Sequence, residues 1–308
     1  MTRKARLSRP SGDLQADRRF LWAEAAEADG DFAAAADLYA QASELAPAWP
    51  PAWYHLGKAR LAAGDAQGAC EALKRYLALE PGDMLGAAVL LAEGEDAPQL
   101  SDEYIRALFD AYAGYFDEQL KGPLRYRGPE MIMAALDQAA GNARVFQHAL
   151  DLGCGTGLMG KALGSRARRL SGVDLSPEML KRAAALNIYE ELEAAELGGF
   201  LRRAGPQAFD LVIAADVFVY MPDLADVFAG AARALQSGGI FAFSAQCGKG
   251  AEPVLGRDKR YWHPQGYLEK LAAANTFEVL GFTDVSTRVD NGEPVPGLIS
   301  VLRKQAQR

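Results

Sequence analysis

The chain has 308 residues, half of them hydrophobic and 24% charged, with a mean hydropathy of −0.10. That is enough material for two ordinary domains, and it excludes a disordered chain. With 33 basic against 40 acidic side chains the net charge is −7, the wrong sign for affinity gained by neutralising phosphates, so nucleic acid is not the expected partner. Cys70, Cys154 and Cys247 are scattered and form neither a disulfide framework nor a zinc set, which leads us to expect a cytoplasmic setting and no metal site.

Residues 1–16 carry Arg3, Lys4, Arg6 and Arg9 with no apolar stretch behind them. They are expected to form a flexible tail and not a signal peptide. No run reaches 18 consecutive apolar residues, so no membrane span is expected.

Residues 17–97 read as helical repeats. Gly30-Asp31 recurs as Gly64-Asp65, Ala35 as Ala69 and Pro47 as Pro81, each after 34 positions, and three coincident spacings mark a repeat. Each unit reads as two helices joined by a Gly-Asp turn and ended by a proline that cannot continue the second. The pattern resembles the tetratricopeptide repeat (TPR): Trp53, Leu56 and Gly57 stand at its W-x-x-L-G positions, Ala69 at its small-residue contact and Pro81 at its terminator. The first unit is degenerate, with Arg19, Trp22 and Ala23 at those opening positions, and Ala87–Leu91 keeps only an apolar helix. The resemblance implies a face that could hold a protein partner, while so short an array could instead serve only to pack on the rest of the chain.

Residues 98–130 read as a helical leader, with Tyr104, Leu108 and Tyr112 at i, i+4 and i+8 forming one stripe. From residue 131 to 308 short apolar runs alternate with helical stretches, the pattern of parallel βα units. His148–Leu152 is a buried-strand run, Gly153-Cys154-Gly155-Thr156-Gly157 follows it, and a second strand over Arg169–Val173 ends in Asp174. Ser176-Pro177-Glu178 then supplies a capping hydroxyl, a preset φ and a first-turn acid, a strong helix start.

Strand, glycine loop, helix, strand and acid make a nucleoside-binding unit. Counting from Gly153, the sixth position is Leu158, so the G-x-G-x-x-G dinucleotide register fails. Asp151 just ahead of the loop would repel a pyrophosphate and favour a cationic ligand. S-adenosylmethionine carries an ammonium and a sulfonium, and Asp174 can accept from two ribose hydroxyls.

Leu150–Gly157 resembles motif I of the class I S-adenosylmethionine-dependent methyltransferases, Gly172–Leu180 resembles their second motif, and Phe209–Val217 their fourth-strand motif. Leu235–Phe241 is similar to the turn into their fifth strand. The resemblance implies a Rossmann-like α/β domain with a seven-stranded sheet whose last strand is antiparallel, built from Glu278–Thr287 and Leu298–Arg303 around an Asn291-Gly292 turn. It implies cofactor contacts from Asp151, Gly153, Cys154, Gly155, Gly157, Asp174, Leu175 and Asp216. Glu196 is carried over as the acid that contacts the adenine amino group, the alternative being an exposed helix acid. Leu108–Ala113 and Phe116–Leu120 resemble the leader of bacterial predicted methyltransferases with TPR repeats, in which Tyr112, Arg125 and Tyr126 would be lid residues.

Methyl transfer from a sulfonium is an in-line displacement that expels a neutral thioether, so positioning matters most and no metal is needed. Where the nucleophile holds a proton, His263 and Asp216 are the candidate bases, and Tyr261 and Tyr267 would line the acceptor site. The acceptor is expected to be a small molecule or a protein. The competing reading is a repeat adaptor whose Rossmann-like domain binds the cofactor or S-adenosylhomocysteine without turnover.

Overall fold

Gly30 and Gly64 take φ values of 82° and 87°, a region that costs a residue with a Cβ and that glycine adopts freely. Each lets the chain reverse into an aspartate that caps the next helix: Asp31 accepts the Ala34 amide and Asp65 the Gly68 amide. This sets α1 (Leu14–Ala28), α2 (Phe32–Leu45), α3 (Pro50–Ala62) and α4 (Ala66–Leu79) in two like pairs, followed by α5 (Ala87–Leu91). The 34-residue period is thus a period of turns and caps. The computed structural model describes residues 10–81, 83, 85–91, 102–114, 116–121, 124–141, 143–256, 260–290 and 292–306. Most of the expected tail, the 97/98 boundary, the side chain of Tyr104, and Asn291 of the expected turn lie outside the described residues.

The chain divides into two units, Met1–Ala107 and Leu108–Arg308. In the first, Phe20, Tyr39, Trp49 and Leu56 form a core among α1, α2 and α3. Leu73 and Tyr76 of α4 pack with Ala87 of α5. A Cβ on Gly57 would stand 2.5 Å from Leu73, so a bare position on α3 is what admits that leucine.

Continuing along the chain, α6 (Asp102–Tyr112), α7 (Phe116–Lys121) and α8 (Gly128–Ala140) precede an alternating run: β1 (Phe146–Leu152), α9 (Leu158–Leu163), β2 (Ala167–Asp174), α10 (Pro177–Ala184), β3 (Glu191–Ala194), α11 (Leu197–Arg203), β4 (Phe209–Ala214), α12 (Ala225–Ala234) and β5 (Leu235–Gln246). After a small ladder of β6 (Val254–Leu255) with β7 (Tyr261–Trp262) come α13 (Gln265–Ala274) and β8 (Phe277–Val285). A second ladder of β9 (Val289–Asp290) with β10 (Glu293–Pro294) leads into β11 (Gly297–Lys304).

Seven strands form one sheet in the order β3-β2-β1-β4-β5-β11-β8. Strands β1 to β5 are parallel and β11 runs against both β5 and β8. One face is covered through Leu201, Phe228 and Leu268 of α11, α12 and α13. The other is covered through Ile132 and Leu136 of α8 and Met159 and Leu163 of α9. Burial on both faces explains the near-continuous apolar strands. The second unit is therefore a Rossmann-like α/β unit, and the first is all-helical. Gly238-Gly239, expected as a turn into the fifth strand, instead lies inside β5, where the pairing slips from Phe209–Leu235 to Leu211–Ile240 as a bulge that glycine tolerates.

Candidate functional site

Parallel strands deliver their C-terminal ends to one edge of the sheet, and ligands of open α/β sheets bind there. β1 ends in Asp151-Leu152, and the chain leaves it through Gly153, Gly155 and Gly157, with φ values of 67°, 53° and 90°. At Gly153 a Cβ would lie 2.4 Å from Val217, just after β4, so the loop and the end of β4 meet through a missing side chain. The amides of Gly153 and Cys154 donate to Val173 O, and that of Gly157 donates to Cys154 O.

Asp174 closes β2 against this loop. Its Oδ2 accepts the Gly155 amide and its Oδ1 the Ser176 amide, each at 2.9 Å. Each oxygen keeps a further lone pair, so the carboxylate is preset to accept from a ligand as well. Burial pushes the Asp174 carboxyl above its ordinary value, the two amides pull it down, and Asp110 pushes it up again. Leu175 follows, half-buried, and the Ala195 amide donates to Asp174 O, bringing the turn after β3 alongside.

Asp151 is fully buried. Its Oδ2 accepts the Tyr189 hydroxyl at 2.7 Å, and its Oδ1 is buried without a hydrogen-bond partner. Burial pushes its pKa up to about 7, against the Tyr189 hydroxyl and the Gly160 amide, with Asp174 adding to the rise. Cys154 is also buried, its thiol pushed well above the ordinary value by burial and the two aspartates. It is inert as a nucleophile.

Two more acids reach the loop from the leader. Asp110 on α6 accepts the Ser176 hydroxyl, and Asp117 on α7 accepts the Thr156 hydroxyl at 2.6 Å. Phe109 packs edge-on against Phe116 and Tyr220, and Arg182 of α10 donates to Gly114 O. The leader therefore covers the glycine loop. Tyr112 ends α6 with its ring partly exposed. Asp110, Asp117 and Tyr189 carry no local signature in the sequence, since each meets its partner across 38 residues or more.

The other expected residues take varied places. Asp216 follows β4 at a φ of 56°, uncommon for a residue with a Cβ. Its amide donates to the Ser244 hydroxyl and its Oδ2 pairs with Arg260 at 3.2 Å. Arg260 also lies over the Tyr220 ring. Burial pushes the Tyr126 hydroxyl well up, with Asp216 and Asp151 adding to the rise. Glu196 caps α11, its oxygens accepting the Gly198 and Gly199 amides.

His263 is fully buried, its amide donating to Gln246 O and its Nε2 lying 3.0 Å from Met221 O. A carbonyl can only accept, so Nε2 holds the proton and Nδ1, buried and unpartnered, keeps its lone pair. Burial lowers its pKa to about 4. Tyr261 is buried, and the Tyr267 hydroxyl accepts the Leu224 amide and donates to Asp223.

Around the glycine loop the structure thus gathers Asp110, Asp117, Asp151 and Asp174. Such a field opposes a phosphate and favours a ligand with a positive centre. Among the described residues no three His, Cys, Asp or Glu side chains could hold a metal ion, and no helix is long and apolar enough to cross a membrane.

Residues 150–243 match the family model described as a methyltransferase domain. The ubiquinone biosynthesis O-methyltransferase of Thiobacillus denitrificans is 37% identical over 31% of this chain and 42% of its own length. The chain therefore spans about two fifths of that curated relative. Among solved structures, the [4+2]-cyclase SpnF superposes with a TM-score of 0.56 at 15% identity, over 70% of this chain and all of that one. The 1,6-didemethyltoxoflavin-N1-methyltransferase of Burkholderia thailandensis, solved with S-adenosylhomocysteine, superposes with a TM-score of 0.52 at 21% identity, over 69% and 94%. These likenesses show the Rossmann-like methyltransferase fold.

Proposed function

We propose that this chain is an S-adenosylmethionine-dependent methyltransferase acting on a small-molecule or protein acceptor. The observation that carries the reading is the Asp174 carboxylate, tied by one oxygen to the Gly155 amide and by the other to the Ser176 amide, so that the glycine loop and a hydroxyl-binding acid form one rigid unit. The matched methyltransferase domain covers these same residues. The buried, unpartnered Oδ1 of Asp151 and the acids around the loop fit a cationic nucleoside and not a diphosphate.

Bound there, S-adenosylmethionine would supply a methyl group activated on a sulfonium. Asp174 holds the ribose hydroxyls, Asp151 answers the positive charge, and Gly153, Cys154, Gly155 and Gly157 give the backbone close approach. Leu175 and Tyr112 supply apolar walls. Glu196, fixed on its own helix, marks the adenine end of the site. Phe109, Phe116 and the leader exclude water, which strengthens every charge interaction inside.

At the acceptor end Asp216 is the first candidate to take a proton, since its carboxylate retains some exposure beside Arg260. His263 would act only through Nδ1, at the cost of a charge in a fully enclosed place. We assign residues 17–83 to a TPR-like module on their 34-residue period of turns and caps, with its exposed face as the place for a protein partner.

Calorimetry with S-adenosylmethionine, S-adenosylhomocysteine and NAD tests the cofactor: binding of the first two but not NAD is expected, and the reverse refutes the reading. Transfer of labelled methyl from the cofactor to extract metabolites and peptides, with Asp174→Ala as control, separates catalysis from binding without turnover. The cyclase on the same fold shows why that second arm is needed, because a fold does not fix a reaction.

A further inference from the structure

Tyr189 stands in the turn between α10 and β3, outside every motif that marks the glycine loop. Its ring occupies space left by three glycines on three elements. A Cβ would come within 3.2 Å of the ring from Gly157 in the loop, 2.8 Å from Gly160 on α9 and 2.9 Å from Gly172 on β2. Gly172 pairs with Asp151 across the sheet, and the missing side chain there lets the phenol reach the acid. The hydroxyl donates to Asp151 Oδ2 at 2.7 Å while Oδ1 stays buried and unpartnered.

We propose that Tyr189 is a positioning residue of the cofactor site: its hydroxyl holds Asp151 by one oxygen and leaves the other as the acceptor for the positively charged part of the cofactor. This rests on the reading that the cofactor is S-adenosylmethionine. A phenol donating to a carboxylate stabilises the anion, so Tyr189 also offsets the cost of burying that charge. The other polar groups facing Asp151 are Asp174 at the end of β2, the Cys154 thiol of the loop, the Gly160 amide of α9 and Tyr126 from the segment before α8. Cys154 and Tyr126 are pushed well above their ordinary values by burial and hold their protons across the neutral range. Asp174 is common to the parent and every Tyr189 variant, so a difference between them reports on Asp151.

With the carboxyl of Asp151 near pH 7, the ligand-free protein carries a proton there in part, and a cationic ligand must displace it. Affinity for S-adenosylmethionine should therefore fall about tenfold per pH unit below that value. Tyr189→Phe removes the donor and moves this limb to higher pH. At pH 7 it should bind about tenfold more weakly than the parent and at pH 9 within about twofold, by calorimetry. Replacing Tyr189 by 3-fluorotyrosine keeps the hydroxyl and makes it a stronger donor, so the limb should move to lower pH. In the ligand-free protein its fluorine resonance should titrate with Asp151 and cease to do so on Asp151→Asn.

A parental pH profile in Tyr189→Phe, or a fluorine resonance that is flat from pH 5.5 to 8.5, overturns the role of Tyr189. Should Tyr189→Phe fail to fold, the fluorotyrosine arm decides. A parent that binds no S-adenosylmethionine at any pH overturns the functional reading and the cofactor role with it. A parent that binds while the Tyr189 arms stay unmoved overturns this inference alone.

Discussion

Asp174 spends one lone pair of each oxygen on the protein's own amides and keeps the rest for a ligand. Hydrogen bonds to a charged group are worth about 1.5–3 kcal/mol each, so Asp174→Ala should weaken S-adenosylmethionine binding by at least about 100-fold in calorimetry. Retained circular dichroism would show that the fold survives. His263 makes the opposite kind of commitment, holding a neutral ring in a dry place. Its folded pKa of about 4 lies below the ordinary 6.5, so as pH falls the unfolded chain takes up a proton first. The stability from this group is present above pH 6.5 and lost between 6.5 and 4, a difference of about 3 kcal/mol. Asp151, raised to about 7, works the other way, since the folded form binds the extra proton between its ordinary value and 7. The two partly cancel in the parent. His263→Gln keeps a donor for Met221 O and should remove the His263 part, so between pH 6.5 and 4 its urea-unfolding free energy should gain on the parent's by about 3 kcal/mol.

Among the elements, the helical pairs show how little sequence a repeat requires. Asp31 and Asp65 cap α2 and α4 through the same bond, and Asp65→Ala should cost about 1 kcal/mol, read as faster amide exchange in the first turn of α4. Leu73, fully buried against the bare Gly57, is the heavier contact. Leu73→Ala leaves a cavity and should cost about 2–5 kcal/mol, read as lost exchange protection across α3 and α4. The glycine loop is an element of a different kind, in which three left-handed residues draw β1, the end of β4 and the turn after β2 together. Its motif was legible because glycine spacing is a direct imprint of backbone geometry. The α6 and α7 leader was legible as helix, but the acids it delivers to Ser176 and Thr156 were not. Their partners lie 66 and 39 residues away, and no local pattern encodes a contact at that range.

At the scale of the whole molecule, two cores are built by different rules: stacked helix pairs in the first unit, and a sheet buried on both faces in the second. A ligand that binds only the folded second unit should stabilise it by mass action, by about 2.7 kcal/mol at a free concentration 100 times its Kd. Thermal unfolding with and without S-adenosylmethionine reads this, with protection from exchange expected within Leu108–Arg308. S-adenosylmethionine that leaves the transition unmoved would contradict the cofactor assignment.

The amino-acid sequence by itself determined the alternation of strands and helices, the 34-residue period, the glycine loop and the acid that closes β2. Each of these is written in local spacing, because backbone conformation and hydrophobic periodicity act over a few residues. Only the tertiary structure decided that Asp151 is sealed beneath Tyr189, that His263 is enclosed against Met221, and that Asp110 and Asp117 stand over the loop. Those outcomes depend on which side chains meet after the chain has closed and on how much water each loses, and burial sets the charge of an acid as firmly as its identity does.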